Sequence, residues 1–434
     1  MLLVYTPKIT PRIGYIFRHI FFRMLNIEVG ITSSIEKFIS HNGDKISYSD
    51  KPLGKELFFY RSKVLIDNGI QDVSIEIFKW NDYPVFFKAP EISSIPFDIF
   101  GASFYLITRY EEYLPHIKDS MGRFQYKNSI AFKNNFLEIP LVDIWVNELS
   151  KIIQKNFIEI KKKNNSIIKF LPIFQVSEPY KFSNKSFFSS IFQSLKFISR
   201  LDFKSLFEQF LVLTSLKKDP FDEYDFIINF FKKNKLDILS FFRFTKNGFD
   251  IDSVSILNTS YKLLIKNFSD HVYVGLLVSY FAQLDLDIFK KENKNLMDLT
   301  HKRSFRVRLN YGIKSLSKIY SDFIVKEITE DYSMCYNDKV GFRASSSVPF
   351  YFYDLVNEVQ TKLKVFPVIA TQESLQFGNN PLGFSKLEEI YSSLPLNNSI
   401  FCFVFTPSIF NKSKENYNLR SSFLGYLTKY GKLQ

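Results

Sequence analysis

The chain has 434 residues, 46% hydrophobic and 23% charged, which is long enough for two or three domains with a large buried core. Its two cysteines lie far apart in sequence, which excludes a disulfide framework and a CxxC zinc site. No apolar run approaches the roughly 18 residues of a membrane-spanning helix, so we expect a soluble, cytoplasmic protein without a transmembrane segment.

The net charge is +13, from 57 basic and 44 acidic side chains. A basic surface attracts phosphates, acidic glycans or nucleic acid. Lys, Phe, Ile and Asn share AT-rich codons, however, and 50 Phe residues accompany the many Lys. We therefore interpret the charge as scattered, solvated Lys and expect no nucleic-acid partner.

The first 113 residues alternate short β-like runs with helical ones. A helix is predicted from Pro11 to Leu25, and PFDIFGASFYLITRYEEYL (96–114) predicts a long helix that ends at Pro115. The predicted strands are LLVY (2–5), EVGIT (28–32), VSIEIFKW (73–80) and YPVFFK (83–88). Together these elements predict a small α/β domain whose sheet is covered by helices.

A polar, charge-rich break, KKKNN at 161–165, is predicted to be a linker. Beyond it strands and helices alternate, which favours a (β/α) barrel-like fold over an open sheet. Helices are expected at 187–216, 219–235, 252–268, 313–322 and 384–394. The predicted strands are IKFLPIFQV (168–176), DILSFFRF (237–244), HVYVGLL (271–277), FIVKEI (323–328), KVFPVI (364–369) and IFCFVF (400–405).

Two stretches with polar residues follow one of these predicted strands. EDYSMCY (330–336) comes after FIVKEI, and VGFRASSSVPFYFYDL (340–355) follows it with an arginine, serines and aromatic residues. Arg and Asp hydrogen-bond hydroxyl groups, and aromatic rings stack on sugars. The predicted carbohydrate-binding residues are Glu330, Asp331, Tyr332, Arg343 and Tyr351, while Phe352 and Tyr353 fit a core role equally well.

Other catalytic signatures are missing. The five histidines form no HxxxH or HExxH pair, and the chain has no GxSxG, GxGxxG or GxxxxGK[ST] motif. HKRSFRVRL (301–309) alternates basic and apolar residues, as a strand with one basic face would. Such a face could contact phosphate or sulfate groups, but a solvated face is the preferred interpretation.

Five runs in order resemble a known family: PFDIFGASFYLITRYEEYLPH, LVDIW, LKKDPFD, EDYSMCY and VGFRASSSVPFYFYDL. They are similar to a two-domain group of Bacteroidetes-type bacteria within the polysaccharide deacetylase (NodB-homology, carbohydrate esterase) family. The resemblance implies an N-terminal accessory α/β domain (1–155) and a distorted (β/α)7 barrel (166–434). It also implies a family activity, the removal of acetyl groups from N-acetylated sugars with a divalent metal.

The same resemblance implies that the reactive positions are lost. In the family the first barrel strand ends in Asp-x-Asp, a general base and a metal ligand, and here those positions are Gln175 and Ser177. The metal-binding and catalytic histidines would fall at Leu277 and Thr406. An amide cannot act as a general base at neutral pH, and Leu277 has no lone pair for a metal.

Three hypotheses follow. The leading one is a deacetylase-fold protein that has lost catalysis and the metal cofactor, and that either binds a carbohydrate or glycan or acts as a partner of an active enzyme. The second is an active hydrolase with a site rebuilt from Glu330, Asp331 and Arg343. The third is a basic, non-enzymatic protein that binds an acidic polymer. The sequence does not indicate an oligomeric state.

Overall fold

The structure, a computed structural model, describes residues 1–157, 168–245, 254–375, 383–395, 398–413 and 416–431. It contains a small parallel sheet, a short hairpin and a large, mostly parallel sheet. The predicted α/β class is therefore confirmed. The predicted linker at 161–165 lies outside the described residues. No helix within the described ranges is long and apolar enough to cross a lipid bilayer.

The N-terminal part is built on a parallel sheet in the order β2-β1-β3-β4. Its strands, including the hairpin β5–β6, are β1 (Leu2–Tyr5), β2 (Val29–Thr32), β3 (Lys45–Ser49), β4 (Leu57–Tyr60), β5 (Phe78–Trp80) and β6 (Tyr83–Val85). Its helices are α1 (Pro11–Phe17), α2 (Ile35–Ser40), α3 (Ile99–Ile107), α4 (Ile130–Lys133) and α5 (Leu141–Asn156).

The helix predicted from Pro11 is confirmed. The Thr10 side chain caps it by accepting a hydrogen bond from the Ile13 amide, and α1 continues as a π-helical segment, Arg18–Met24. The helix predicted for 96–114 is shorter. Asp98 caps α3, which ends at Ile107 because Arg109 adopts a left-handed conformation with φ 56°. Of VSIEIFKW only Phe78–Trp80 is a strand.

The large sheet has nine strands in the order β12-β13-β11-β10-β9-β8-β7-β15-β14, parallel except for the β12–β13 pair. They are β7 (Lys169–Val176), β8 (Leu239–Phe242), β9 (Tyr273–Val278), β10 (Arg306–Leu309), β11 (Glu330–Met334), β12 (Phe350–Asp354), β13 (Val359–Pro367), β14 (Ala370–Thr371) and β15 (Ile400–Phe405). The accompanying helices are α6 (Phe187–Ser199), α7 (Phe203–Leu213), α8 (Tyr224–Lys233), α9 (Thr259–His271), α10 (Leu286–Thr300), α11 (Leu316–Val325), α12 (Gly383–Ser393) and α13 (Tyr417–Gly431).

The large sheet curls strongly. Only two residues separate β13 from β14, yet β13 pairs with β11 and β14 pairs with β15 at the opposite end of the strand order. The Ile369 amide between them also donates to the Cys402 carbonyl at 2.9 Å. The short chain from β13 to β14 thus joins the two ends of the sheet. The sevenfold barrel closure expected from the resemblance stays a prediction.

The strand predicted at FIVKEI (323–328) is wrong. These residues begin in α11, and the strand that follows is Glu330–Met334. The buried residues of α11, namely Leu316, Ile319, Tyr320 and Phe323, are spaced three or four apart. That is a helical period, which becomes visible only when the window extends upstream of FIVKEI. The helix predicted at 313–322 is correspondingly shifted to Leu316–Val325.

The two faces of the large sheet bury different apolar clusters. Inside the curl lies a small cluster that includes Leu171, Ile173, Phe241 and Leu277. The alternate residues of the same strands point outward into a much larger cluster, which extends continuously into the N-terminal sheet. Gly275 is required inside the curl, because a Cβ there would lie 2.6 Å from the Phe241 ring. The two parts of the chain therefore share one core.

The residues from β7 onward, which carry the large curled sheet, are named the barrel part for their barrel-like curl. A segment that we call the clasp, residues 341–348, joins this part to the N-terminal part. The Phe342 amide donates to the Leu137 carbonyl at 2.8 Å, and the Val142 amide donates to the Ser345 carbonyl at 3.0 Å. The fully buried Asp143 accepts hydrogen bonds from the hydroxyls of Ser346 (2.5 Å) and Ser347 (2.6 Å). Burial raises the pKa of Asp143 to about 6, against the opposing effect of these hydrogen bonds.

Replacing Asp143 by Ala tests the clasp. The change leaves two buried hydroxyls and the Ser347 amide without their acceptor, so we expect a loss of about 2 kcal/mol in the free energy of unfolding. The measurement is denaturant unfolding at neutral pH. The control is Asp298→Ala, an exposed position on α10 that should change little. Equal stability of the two variants would contradict an anchoring role.

Candidate functional site at the carboxyl edge of the large sheet

The positions implied by the resemblance all lie at one edge of the large sheet. Gln175 and Leu277 are the next-to-last residues of β7 and β9, and Ser177 and Thr406 directly follow β7 and β15. Strands β7 and β15 pair in parallel as far as Phe174 and Phe405, so their ends are neighbours. Leu277 belongs to the interior cluster, and Gln175 shares the face of Leu171 and Ile173.

Sequence reasoning missed the group that dominates this interior, Arg308. It lies on β10, is only 2% exposed, and its Nε donates to Gln175 Oε1 at 2.7 Å. A terminal nitrogen donates to the Tyr332 carbonyl, and the guanidinium lies 3.9 Å from Cys335 Sγ. Gln175 in turn donates to Asn310 Oδ1 at 3.2 Å. The amide at the end of β7 is thus held between a cation and a second amide.

The basic face of β10 was expected to be solvated, but it points into the curl. Arg306 pairs with Glu330 near the amino end of β11, and Arg308 meets Gln175 near the carboxyl end of β7. The alternation of basic and apolar residues correctly predicted a strand with one basic face. It could not predict that the opposite face packs against helices, which leaves the arginines inside.

A cavity of about 330 Å3 opens beside this edge, between the barrel part and the loop at 119–127. Cys335 lines the cavity and also contacts Arg308, so the cavity and the interior guanidinium adjoin. Its wall is polar with aromatic rings: Asp119, Ser120, Arg123, Phe124, Gln125, Tyr126, Lys127, Gly312, Ile313, Cys335, Tyr336, Asn337, Asp338 and Arg343. Arg123 is fixed by Asp119 (2.7 Å) and by the Tyr311 carbonyl (3.0 Å).

A buried ion network supports one wall of the cavity. Glu112 accepts hydrogen bonds from Arg343 at 2.7 and 2.9 Å and from Arg109 at 2.8 Å. Arg109 also pairs with Glu111 at 2.8 Å and donates to the Tyr336 hydroxyl at 3.0 Å. Burial alone would raise the pKa of Glu112, but attraction by Arg343 and Arg109 outweighs it and lowers that pKa to about 2. The Arg343 guanidinium is therefore held in an ion pair with Glu112.

The candidate carbohydrate-binding residues do not gather at one point. Asp331 is fully buried and accepts from Tyr320 on α11 (2.7 Å) and from Ser333 (2.5 Å), and burial raises its pKa. Glu330 and Tyr332 lie on the opposite face of β11, hydrogen-bonded to each other at 2.8 Å.

The remaining two candidates lie apart from that pair. Tyr351 contacts the Arg23 guanidinium through its ring, 4.5 Å from the centroid, and its carbonyl accepts from Tyr15. Arg343 is the candidate that lines the cavity. The roles of all five residues stay predictions.

The residues at this edge do not fit a divalent metal. The side chains at the family's ligand and base positions are an amide, two hydroxyls and an isobutyl group, and a guanidinium contacts the amide. A second cation beside Arg308 would be repelled, and zinc requires imidazole, thiolate or carboxylate ligands. Within the described part of the chain, no group of three or more His, Cys, Asp or Glu is placed to hold a metal ion.

Among known protein families, one of unknown function, DUF7033, matches residues 2–158. No curated protein sequence matches the chain.

Two solved structures are similar to part of this chain. One is a protein provisionally named a polysaccharide deacetylase from Mycobacterium smegmatis, with 7% identity, 61% of this chain and 85% of that chain covered, and a TM-score of 0.39. The other is a 4-alpha-glucanotransferase from Thermococcus litoralis, with 11% identity, 62% of this chain covered and a TM-score of 0.37. This chain spans only 37% of the transferase. Both TM-scores are below 0.5, so neither likeness carries weight for this chain.

The buried network predicts a pH-dependent effect of Glu112→Gln. The change removes the anion that two buried guanidinium groups share. We therefore expect the free energy of unfolding to fall by about 3 kcal/mol at neutral pH. The folded pKa of Glu112 is about 2 against 4.5 for the free side chain. The contribution of Glu112 to stability is therefore complete above pH 4.5 and declines as the pH falls toward 2.

The measurement is the difference in unfolding free energy between wild type and Glu112→Gln across an acid titration. The difference should be constant above pH 5 or so and shrink below pH 4.5. A difference that does not change with pH would contradict the ionised state assigned to Glu112.

The Gln175–Arg308 contact predicts different effects of two substitutions on the free energy of unfolding. Gln175→Leu removes the acceptor of a buried guanidinium and should destabilise the protein by about 2 kcal/mol. Gln175→Glu supplies a carboxylate at the same distance, and a buried ion pair of this kind is roughly neutral, so stability should stay within about 1 kcal/mol of wild type. Denaturant unfolding distinguishes them. If both variants lose the same stability, the hydrogen bond to Arg308 contributes nothing.

Proposed function

We propose that this protein is a polysaccharide-deacetylase-like protein that binds a glycan and does not carry out metal-dependent deacetylation. The observation that carries the proposal is the buried guanidinium of Arg308, which contacts Gln175 at the position where the resemblance expects the general base. A permanent positive charge there takes the place that a metal ion would need.

The chemistry of deacetylation supports this interpretation. The reaction requires a base that accepts a proton from metal-bound water, and the Gln175 amide is not basic at neutral pH. Gln175 also has both ends of its amide engaged, by Arg308 and by Asn310. Leu277 presents a buried apolar side chain where the family has a histidine. No step of the family reaction can therefore be assigned to these residues.

The fold part of the proposal is a distorted (β/α)7 barrel at 166–434, preceded by an accessory domain at 1–155, as in the two-domain Bacteroidetes-type group. Supporting it are the parallel strands β7, β8, β9, β10, β11 and β15, with β13 and β14 counted as one interrupted strand. The pairing of β14 with β15 supplies the closing contact.

A glycan is the ligand class that suits the cavity best. The volume of about 330 Å3 is at the lower end of the range for small-ligand pockets, ~300–1,000 Å3. Amides, carboxylates and cations along the wall can hydrogen-bond hydroxyl groups. The half-buried ring of Tyr126 lines the cavity and is held by an edge contact with the buried Tyr336, so Tyr126 is the aromatic side chain that can stack on a sugar ring.

The contacts favour binding over a rebuilt catalytic site. Asp331 points to α11, Glu330 is paired with Arg306, and Arg343 is held by Glu112. A catalytic site drawn from these residues would require breaking all three sets of contacts. An acidic-polymer ligand remains the second alternative, and it predicts affinity that falls steeply with salt concentration.

A binding experiment tests the proposal. Calorimetric titration with N-acetylglucosamine oligomers should show saturable binding that changes little with salt. Tyr126→Ala should weaken it by about tenfold through loss of ring stacking. Tyr417→Ala, at an exposed tyrosine on α13, is the matched control and should bind like wild type. Binding of an acidic polysaccharide with an affinity that falls steeply with salt, together with no binding of these neutral oligomers, would favour the acidic polymer instead.

An acetate-release assay on the same oligomers, with and without added zinc, should show no turnover. Stoichiometric zinc together with measurable turnover would overturn the proposal.

A further inference from the structure

A helical hairpin formed by α6 and α7 is inserted between β7 and α8, near the carboxyl edge of the large sheet. Asp219 fastens its base, because this carboxylate accepts hydrogen bonds from the amides of Lys181 (3.0 Å), Phe182 (2.8 Å) and Ser183 (2.9 Å). The two ends of the insertion are thus tied together, and the hairpin extends from a fixed base.

The hairpin exposes an unusual amount of apolar surface. Phe187 is 75% and Phe188 is 82% exposed, and six of the nine exposed phenylalanines among the described residues belong to this hairpin. Its exposed large apolar side chains are Phe187, Phe188, Ile191, Phe192, Leu195, Ile198, Leu201, Phe203, Phe207, Phe210, Leu213 and Leu216. On α6 these positions recur every three or four residues and so share one helix face, and an exposed apolar face of this kind marks an interaction surface.

Polar side chains lie in the contact between the two helices, in addition to the buried Val212 and the ring contact of Phe197 with Phe182. Ser194 donates to Gln209 Oε1 at 2.9 Å, and Gln209 donates to the Ser190 carbonyl at 3.0 Å. Gln209 is 1% exposed, so an amide occupies the helix contact while phenyl rings face outward. In a helix that packs on its own protein core the apolar stripe faces inward. Here most of the apolar side chains of both helices face outward, which indicates a surface that meets an external apolar phase.

The charge around this face selects the partner. Residues 185–218 contain six Lys and Arg and two Asp and Glu. Lys196 and Arg200 are exposed at the end of α6, beside the apolar positions Leu195 and Leu201. Two copies of so basic a surface repel each other, whereas anionic lipid headgroups attract it.

From this combination we propose that the α6–α7 hairpin lies in the interface of an anionic lipid bilayer, with its phenylalanine and leucine face among the acyl chains. Phe and Leu on one face with Lys and Arg beside them is the composition of interfacial amphipathic helices. The helices have 13 and 11 residues, which is too short to cross a bilayer and suits a position parallel to its surface.

The test is co-sedimentation of the full chain with vesicles of phosphatidylcholine alone and of phosphatidylcholine mixed with phosphatidylglycerol. Wild type should bind the anionic vesicles at least about tenfold more strongly than the neutral ones. The double variant Phe187→Ser/Phe188→Ser and the charge variant Lys196→Glu/Arg200→Glu should each reduce this binding by about tenfold or more. The positions are exposed, so thermal unfolding should match wild type.

Phe22→Ser provides the matched control, because Phe22 is 60% exposed on the N-terminal part and outside the hairpin. This variant should bind vesicles like wild type. Absence of binding to anionic vesicles, or equal binding by the Phe187/Phe188 variant, would overturn the proposal. So would a dimer that sediments without lipid and is abolished by that variant, because a second copy would then cover the face.

Discussion

A buried guanidinium group is tolerated only when its N–H donors find hydrogen-bond acceptors. Arg109, Arg308 and Arg343 impose this constraint together at the carboxyl edge of the large sheet. Glu112 accepts hydrogen bonds from Arg109 and Arg343. Gln175 and the Tyr332 carbonyl accept hydrogen bonds from Arg308. These polar groups are thereby engaged in holding the protein's own cations and are not free to react with a ligand.

The same constraint explains why the N-terminal part and the barrel part share one core. Glu112 comes from the N-terminal part and Arg343 from the clasp, so their pairing requires the two parts to be docked. A second ion pair also joins the two parts. Arg12 in the N-terminal part pairs with Glu358, which also accepts a hydrogen bond from Tyr353. Because the loop at 119–127 forms part of the cavity wall, the N-terminal part contributes directly to the candidate site.

The apolar side chains of the α6–α7 hairpin are mostly exposed. Elsewhere the apolar side chains of the helices point to the core, as Ile319, Tyr320 and Phe323 do on α11. On the hairpin, Gln209 is buried and Phe210 beside it is exposed. Burying a phenylalanine side chain is worth about 2–3 kcal/mol, so leaving several in water forgoes a large stabilisation. An external apolar partner recovers that free energy, and this links the hairpin's sequence to its location outside the core.

The sequence by itself determined the α/β class and several strands, including β1, β7 and β15, because their apolar runs are short, bounded and rich in strand-forming residues. It also placed Gln175 and Thr406 at strand ends. It failed at FIVKEI, where helix and strand periods are indistinguishable over six residues. Only the tertiary structure decided which face of β10 is buried. Arg308, which was expected to be solvated, is therefore the central charge of the interior. The physical reason is that alternation along a strand defines two faces, whereas the choice of the buried face depends on what packs there. The acceptor of Arg308, Gln175 on β7, lies 133 residues away in the sequence.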